Sequence, residues 1–127
     1  PLYSASGRRA AIDARSANLH ERALQAVLEA EQRQPEAGPK VSSTFRVGKV
    51  KPNGLQELGR RGEAMLSQFR LFKPGSFNFD PDAARVSFEH YGDAKLERMY
   101  VIYLATGTGT LLTKEMPNAS QRGTDPQ

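Results

Sequence analysis

Asp80, Asp82, Glu89, His90 and Asp93 lie close together in the sequence. Carboxylates beside an imidazole are the groups that ligate a hard cation or divide acid–base work between them. Their spacing argues against both roles. Asp80 and Asp82 flank Pro81, a turn setting in which aspartate serves the local backbone. Glu89 and His90 are consecutive in an alternating segment, so they point to opposite faces of a strand. His90 alternates in step with Val86 and Phe88, which predicts a partly buried side chain. His20 sits among polar residues of a helical segment and reads as solvated. No catalytic residue, metal ligand or cofactor is assigned from these groups, and the chain is expected not to be an enzyme.

Gly107-Thr108-Gly109-Thr110 resembles a phosphate loop in composition only. It lacks the GxxxxGK[ST] spacing, and a strand is expected to follow it where a helix N-terminus would be needed. It is expected to be a hairpin turn.

The basic centre is the one candidate for binding chemistry. Residues 40–73 hold eight basic and two acidic residues, a net of +6, whereas residues 1–39 are balanced and residues 74–127 have two more acids than bases. Arg46, Lys49, Lys51, Arg60, Arg61, Arg70 and Lys73 are the residues that could contact an anion or nucleic acid. Phe77, Phe79 and Tyr91 lie near enough in sequence to stack on bases. No RNA-recognition, zinc-finger or helix-turn-helix signature accompanies them.

The elements that must carry these groups follow from periodicity and breakers. Residues 5–34 read as a helix that ends before Pro35 and Gly38-Pro39. Its apolar residues form two weak stripes: Ile12, Leu19 and Val27 with several alanines on one side, Leu24 and Leu28 well round from them. Such a helix can touch its own domain on one side and a partner on the other. The expected partner interface is therefore Ile12, Leu19, Leu24, Val27 and Leu28. Residues 41–50 alternate as a strand whose Lys49-Val50-Lys51-Pro52 end suits a sheet edge. Residues 54–72 form an amphipathic helix with Asn53 as N-cap. Gly59 and Gly62 each cost such a helix about 1 kcal/mol relative to alanine, which predicts a close packing contact. Residues 76–80 and 84–91 read as short strands. Residues 98–116 contain the most apolar run in the chain, from Met99 to Leu104, and are expected to form the central hairpin of the sheet.

The expected fold is α+β: an antiparallel sheet of about four to five strands packed by one helix (54–72), with a long N-terminal helical arm. Residues 1–39 are arm and linker, 40–116 a compact domain and 117–127 a polar tail. The 127 residues suit one domain. Without cysteine, disulfides, thiolate metal sites and cysteine nucleophiles are excluded, and two histidines cannot build a multi-histidine site. No run is long enough for a membrane span. No signal-peptide core follows the N-terminus, and Pro1 is a residue that loss of an initiator methionine can leave. Both lead to the expectation of an intracellular or virion-associated protein. The function expected is that of a non-enzymatic subunit of a larger assembly (a virion, an organelle complex or a secretion apparatus). It would dock on other subunits or on copies of itself through the N-terminal helix. The alternative is nucleic-acid binding through residues 40–73.

Overall fold

The computed structural model describes residues 2–34 and 37–116, and side chains from residue 18 onward. Three helices and four strands follow one another as α1 (Leu2–Arg33), β1 (Lys40–Lys49), α2 (Gly54–Ser67), β2 (Asn78–Asp80), β3 (Arg85–Tyr91), α3 (Ala94–Thr108) and β4 (Thr110–Lys114). The strands form one sheet in the order β2-β3-β1-β4, with every neighbouring pair antiparallel. From β1 to β4 this is the βαββαβ topology of split-βαβ, or ferredoxin-like, plaits.

One face of the sheet makes the core. Val86 and Phe88 of β3 and Phe45 of β1 point into it, together with Leu58, Met65 and Leu66 of α2 and Leu96, Tyr100, Tyr103 and Leu104 of α3. Two helices, not one, therefore pack on the sheet. The second half of α1 adds a further layer, running antiparallel along α3. His20 meets Thr106 near the end of α3, while Ala30 lies beside Leu96 and Met99 near its beginning. Ala23 and Val27 are buried there. Residues 20–33 thus pack along α3.

The expected hairpin at 98–116 is corrected. Residues up to Thr108 belong to α3, and only Thr110–Lys114 is strand. Asp93 caps the start of α3, its side chain accepting the Leu96 N–H at 3.0 Å. Gly109 ends the helix in the left-handed region (φ 77°), returning its N–H to the Ala105 carbonyl. The glycines are a helix stop, not a hairpin turn. The run is apolar nearly all round because the sheet lies on one side of α3 and α1 on another, so no polar stripe reveals a helical period.

Three smaller differences follow. β1 lies inside the sheet, between β3 and β4, and is not an edge. α2 stops at Ser67, and Phe69, Leu71 and Phe72 are buried in the turns that follow. There Phe72 bridges to His90 and continues the line of β2 beside β3. Asn53 precedes α2 but its side chain makes no capping hydrogen bond. The close contact expected at Gly59 and Gly62 is made with Phe79 and Phe77, whose rings lie where side chains at those positions would begin.

Candidate interaction surface

The topology disperses the acidic cluster. Asp80 accepts the N–H groups of Asp82 and Ala83 at 3.1 and 3.2 Å, a local turn. Glu89 faces outward, where it accepts the Ser42 hydroxyl at 2.9 Å and pairs with Lys73 at 3.2 Å and Lys40 at 3.8 Å. These partners hold its carboxyl below the usual range, the Ser42 hydrogen bond contributing most. Asp93 caps α3. Among the described residues no group of three acids or histidines is placed to hold a metal ion.

His90 is fully buried on the inner face. Its Nε2 lies 3.3 Å from the Asp93 carbonyl, its Nδ1 has no partner, and Tyr100 meets it edge-on at 5.2 Å. Burial depresses its pKa below the ordinary 6.5, assisted by Lys114 and opposed by the Asp93 hydrogen bond and the charges of Glu97 and Asp93. The unfolded chain therefore takes up this proton first as pH falls below about 6.5. The stability tied to neutral His90 is complete above that pH and is lost as pH falls toward the folded-state value. Thermal unfolding at pH 7.5 and 5.5 should show a lower Tm at the acidic pH, and His90→Phe should flatten that difference. An equal slope in the variant would place the sensitivity elsewhere.

His20 is not solvated. Its ring stacks on Tyr103 at 4.6 Å and its Nδ1 lies 2.7 Å from the Thr106 hydroxyl, fastening α1 to α3. Of the expected interface residues, Val27 is fully buried in the chain's own core and Leu24 packs against it. Leu19 and Leu28 are exposed, at 40% and 38%. Ile12 lies outside the described side chains.

Most of the basic centre is engaged within the chain. Arg60 and Arg61 pair with Glu57 at 2.9 and 3.3 Å, and Arg61 also donates to the Gly107 carbonyl. The Arg70 guanidinium donates to the carbonyls of Glu31 and Gln34 at the end of α1. Lys73 belongs to Glu89. The spacing of Glu57 to Arg60 and Arg61, three and four residues along a helix, was a sequence signal for the first of these pairings. The three others, Arg46, Lys49 and Lys51, are exposed and have no ion pair among the described residues. Phe77 and Phe79 pack on α2, and Tyr91 packs against the core, so none is presented for stacking.

Two buried carboxylates escaped the sequence reading. Glu31 accepts the backbone N–H groups of Arg70 and Leu71 and the Tyr100 hydroxyl. Glu97 accepts the Ser43 hydroxyl and pairs with Lys114 at 3.0 Å. Glu31 lies in a polar helical run and Glu97 in the short link before the expected hairpin, so neither carried a signal.

All three helices lie on one side, and the described chain leaves the other face of the sheet open. The register gives its rows. Asp80, Arg85, Arg46 and Thr113 form one row, and Asn78, Ser87 and Thr44 the next. Arg46 and Arg85 stand directly opposite each other, a like-charge pair. Arg85 is neutralised by Glu115 at 2.7 Å, while Arg46 is not paired. Three of the five large apolar residues exposed in the described chain, Val50, Leu111 and Met116, lie in or beside β4. The length of β4 thus carries exposed apolar residues next to the unpaired cations of β1 and the residues that follow it. Comparison with protein-family models, with curated proteins and with solved structures finds no match.

Proposed function

We propose that this chain is a non-enzymatic interaction subunit of a larger assembly, such as a virion, an organelle complex or a secretion apparatus. The observation that carries this reading is the one-sided build. The helices stack on one face and leave the other uncovered, and exposed apolar side chains are strung along β4, Val50 and Leu111 at its start and Met116 beyond its end. Large apolar residues clustered at a surface mark protein contacts more often than solvent faces. Leu19 and Leu28, exposed on α1, make that helix a second docking element. Its partners are other subunits or copies of itself. No helix among the described residues is long and apolar enough to cross a membrane.

Nucleic-acid binding is the second reading, supported by Arg46, Lys49 and Lys51, which lack ion-pair partners. One experiment separates the two. The tagged full chain, expressed in its native cells, is sized by chromatography with light scattering. The assembly reading expects a particle well above the 14.0 kDa of one chain, stable to nuclease and to high salt. Elution as a single chain overturns it. A large particle that collapses with nuclease, or with salt in the steep manner of phosphate contacts, replaces it with the second reading.

A further inference from the structure

We infer that the outer edge of β4 is a strand-docking site that takes an extended partner segment alternating apolar and acidic side chains. The inference rests on the assembly reading and names the chemistry of one partner contact.

β4 ends the sheet order, and β1 is its only strand neighbour among the described residues. Glu115 donates its N–H to the Thr44 carbonyl, and the Gly109 carbonyl accepts from Val50 and Lys51. Antiparallel pairing alternates, so odd-numbered residues of β4 face β1, while Leu112 and Lys114 turn their N–H and C=O groups outward. No described backbone group pairs with them there. Such an edge is a template for another strand.

Edges are ordinarily protected by a lysine. On β4 the one charge is Lys114, at the end of the strand and tied to Glu97 at 3.0 Å. The remaining Thr110-Leu111-Leu112-Thr113 is uncharged, free of proline and favourable to β structure. The other edge, β2, has only three residues and runs into Pro81. Beside β4, a groove between strand and helix is lined by Val101, Ile102, Leu112 and Phe45, with Arg98 at its rim. Inward side chains of an added strand would meet Val101 and Ile102, and outward ones would meet Leu111.

Charge selects the occupant. Arg98 flanks the groove, Lys49 and Lys51 stand at the start of β4, and Arg46 lies one strand in, all without a described ion pair. The nearby acids are spent, Glu97 on Ser43 and Lys114, and Glu115 on Arg85. Two copies edge to edge would bring these cations together. A segment carrying glutamates or aspartates between its apolar residues complements them.

The test uses the full chain and two probe peptides, one alternating valine with glutamate and one alternating valine with lysine. Amide hydrogen exchange is read at Leu112 and Lys114, and affinity by fluorescence anisotropy. The acidic probe should protect both amides and bind at least about tenfold more tightly than the basic one. Arg98→Glu, at an exposed position, should remove about tenfold of that affinity. Leu112→Pro should abolish binding, because it deletes an outward N–H while sparing those that face β1. Equal binding of the two probes, or unprotected amides, overturns the inference. Amides already protected without a probe also overturn it, since a second copy or residues 117–127 would then hold the edge. Should the native particle persist while the edge proves inert, this inference alone fails. Should the chain elute alone, the assembly reading fails with it.

Discussion

Replacing Glu31 with alanine should lower the free energy of unfolding by about 4 kcal/mol, one of the two largest effects expected of single substitutions here. The carboxylate is 6% exposed. One oxygen accepts the Arg70 N–H at 3.0 Å, and the other accepts the Leu71 N–H at 2.7 Å and the Tyr100 hydroxyl at 3.2 Å. α2 has ended by then, and these N–H groups have no helical acceptor. Removing a shared acceptor strands each donor, at about 1–3 kcal/mol apiece where water cannot reach. Arg70 strengthens the junction from the other side, through the carbonyls at the end of α1. Burial, with the Glu31 charge second, keeps the Tyr100 hydroxyl protonated well beyond its usual range. Urea unfolding followed by circular dichroism measures the loss. Glu31→Gln should lose about half as much, because its amide oxygen still accepts while its N–H₂ opposes a donor. Tyr100→Phe should lose about 1 kcal/mol. The double variant with Glu31→Ala should lose less than the sum, because both remove the same bond. Additive losses would show that the bond carries no energy. Since this junction sets the direction of α1, Glu31→Ala should also disturb any contact made by the first half of that helix.

What was legible in the sequence follows from which patterns are local. α2 was readable because one side meets the core and the other meets water, so Leu58, Met65 and Leu66 recur at helical spacing. Phe77 and Phe79 explain the two glycines that interrupt it. β1 and β3 were readable because one face of the sheet is open, which makes apolar and polar residues alternate. α3 was not readable. It is covered on several sides, and its Tyr100-Val101-Ile102-Tyr103 run has the composition of a strand, so tertiary burial overrides local preference. The order of strands was not legible either, because crossover connections place β1 inside the sheet whatever residues end it. The basic centre was legible as composition and misleading as a surface. Lys73 finds Glu89, and Arg70 finds the end of α1, only after folding brings distant segments together. The edge position of β4 has the same origin: nothing in Thr110–Lys114 alone says that no described strand lies on its second side.

Gly54→Ala should cost about 3 kcal/mol, although alanine is the better helix former. Gly54 is the buried first residue of α2. A methyl group there would press into the carbonyl oxygen of Gly109 and lie 3.1 Å from the Thr110 methyl. That carbonyl cannot easily move. It accepts the N–H groups of Val50 and Lys51, both at 2.9 Å, while the Gly109 N–H is returned to Ala105 in a left-handed conformation that suits glycine. The start of α2, the end of β1 and the junction of α3 with β4 thus meet at one backbone atom. Against the clash stands a gain of about 0.4–1 kcal/mol from restricting the unfolded chain, too small to reverse the sign. Gly62→Ala is the control. Its added carbon meets the tip of the Phe77 ring, a side chain that can tilt, so the strain largely cancels the gain in helix preference and the net change should stay within about 1 kcal/mol. Urea unfolding of the two variants, on the same day and in the same buffer, gives the ranking. A Gly54→Ala protein as stable as the Gly62→Ala protein would mean that the junction yields. In that case the Val50 and Lys51 amides, which donate to the Gly109 carbonyl, should exchange faster even where stability is unchanged.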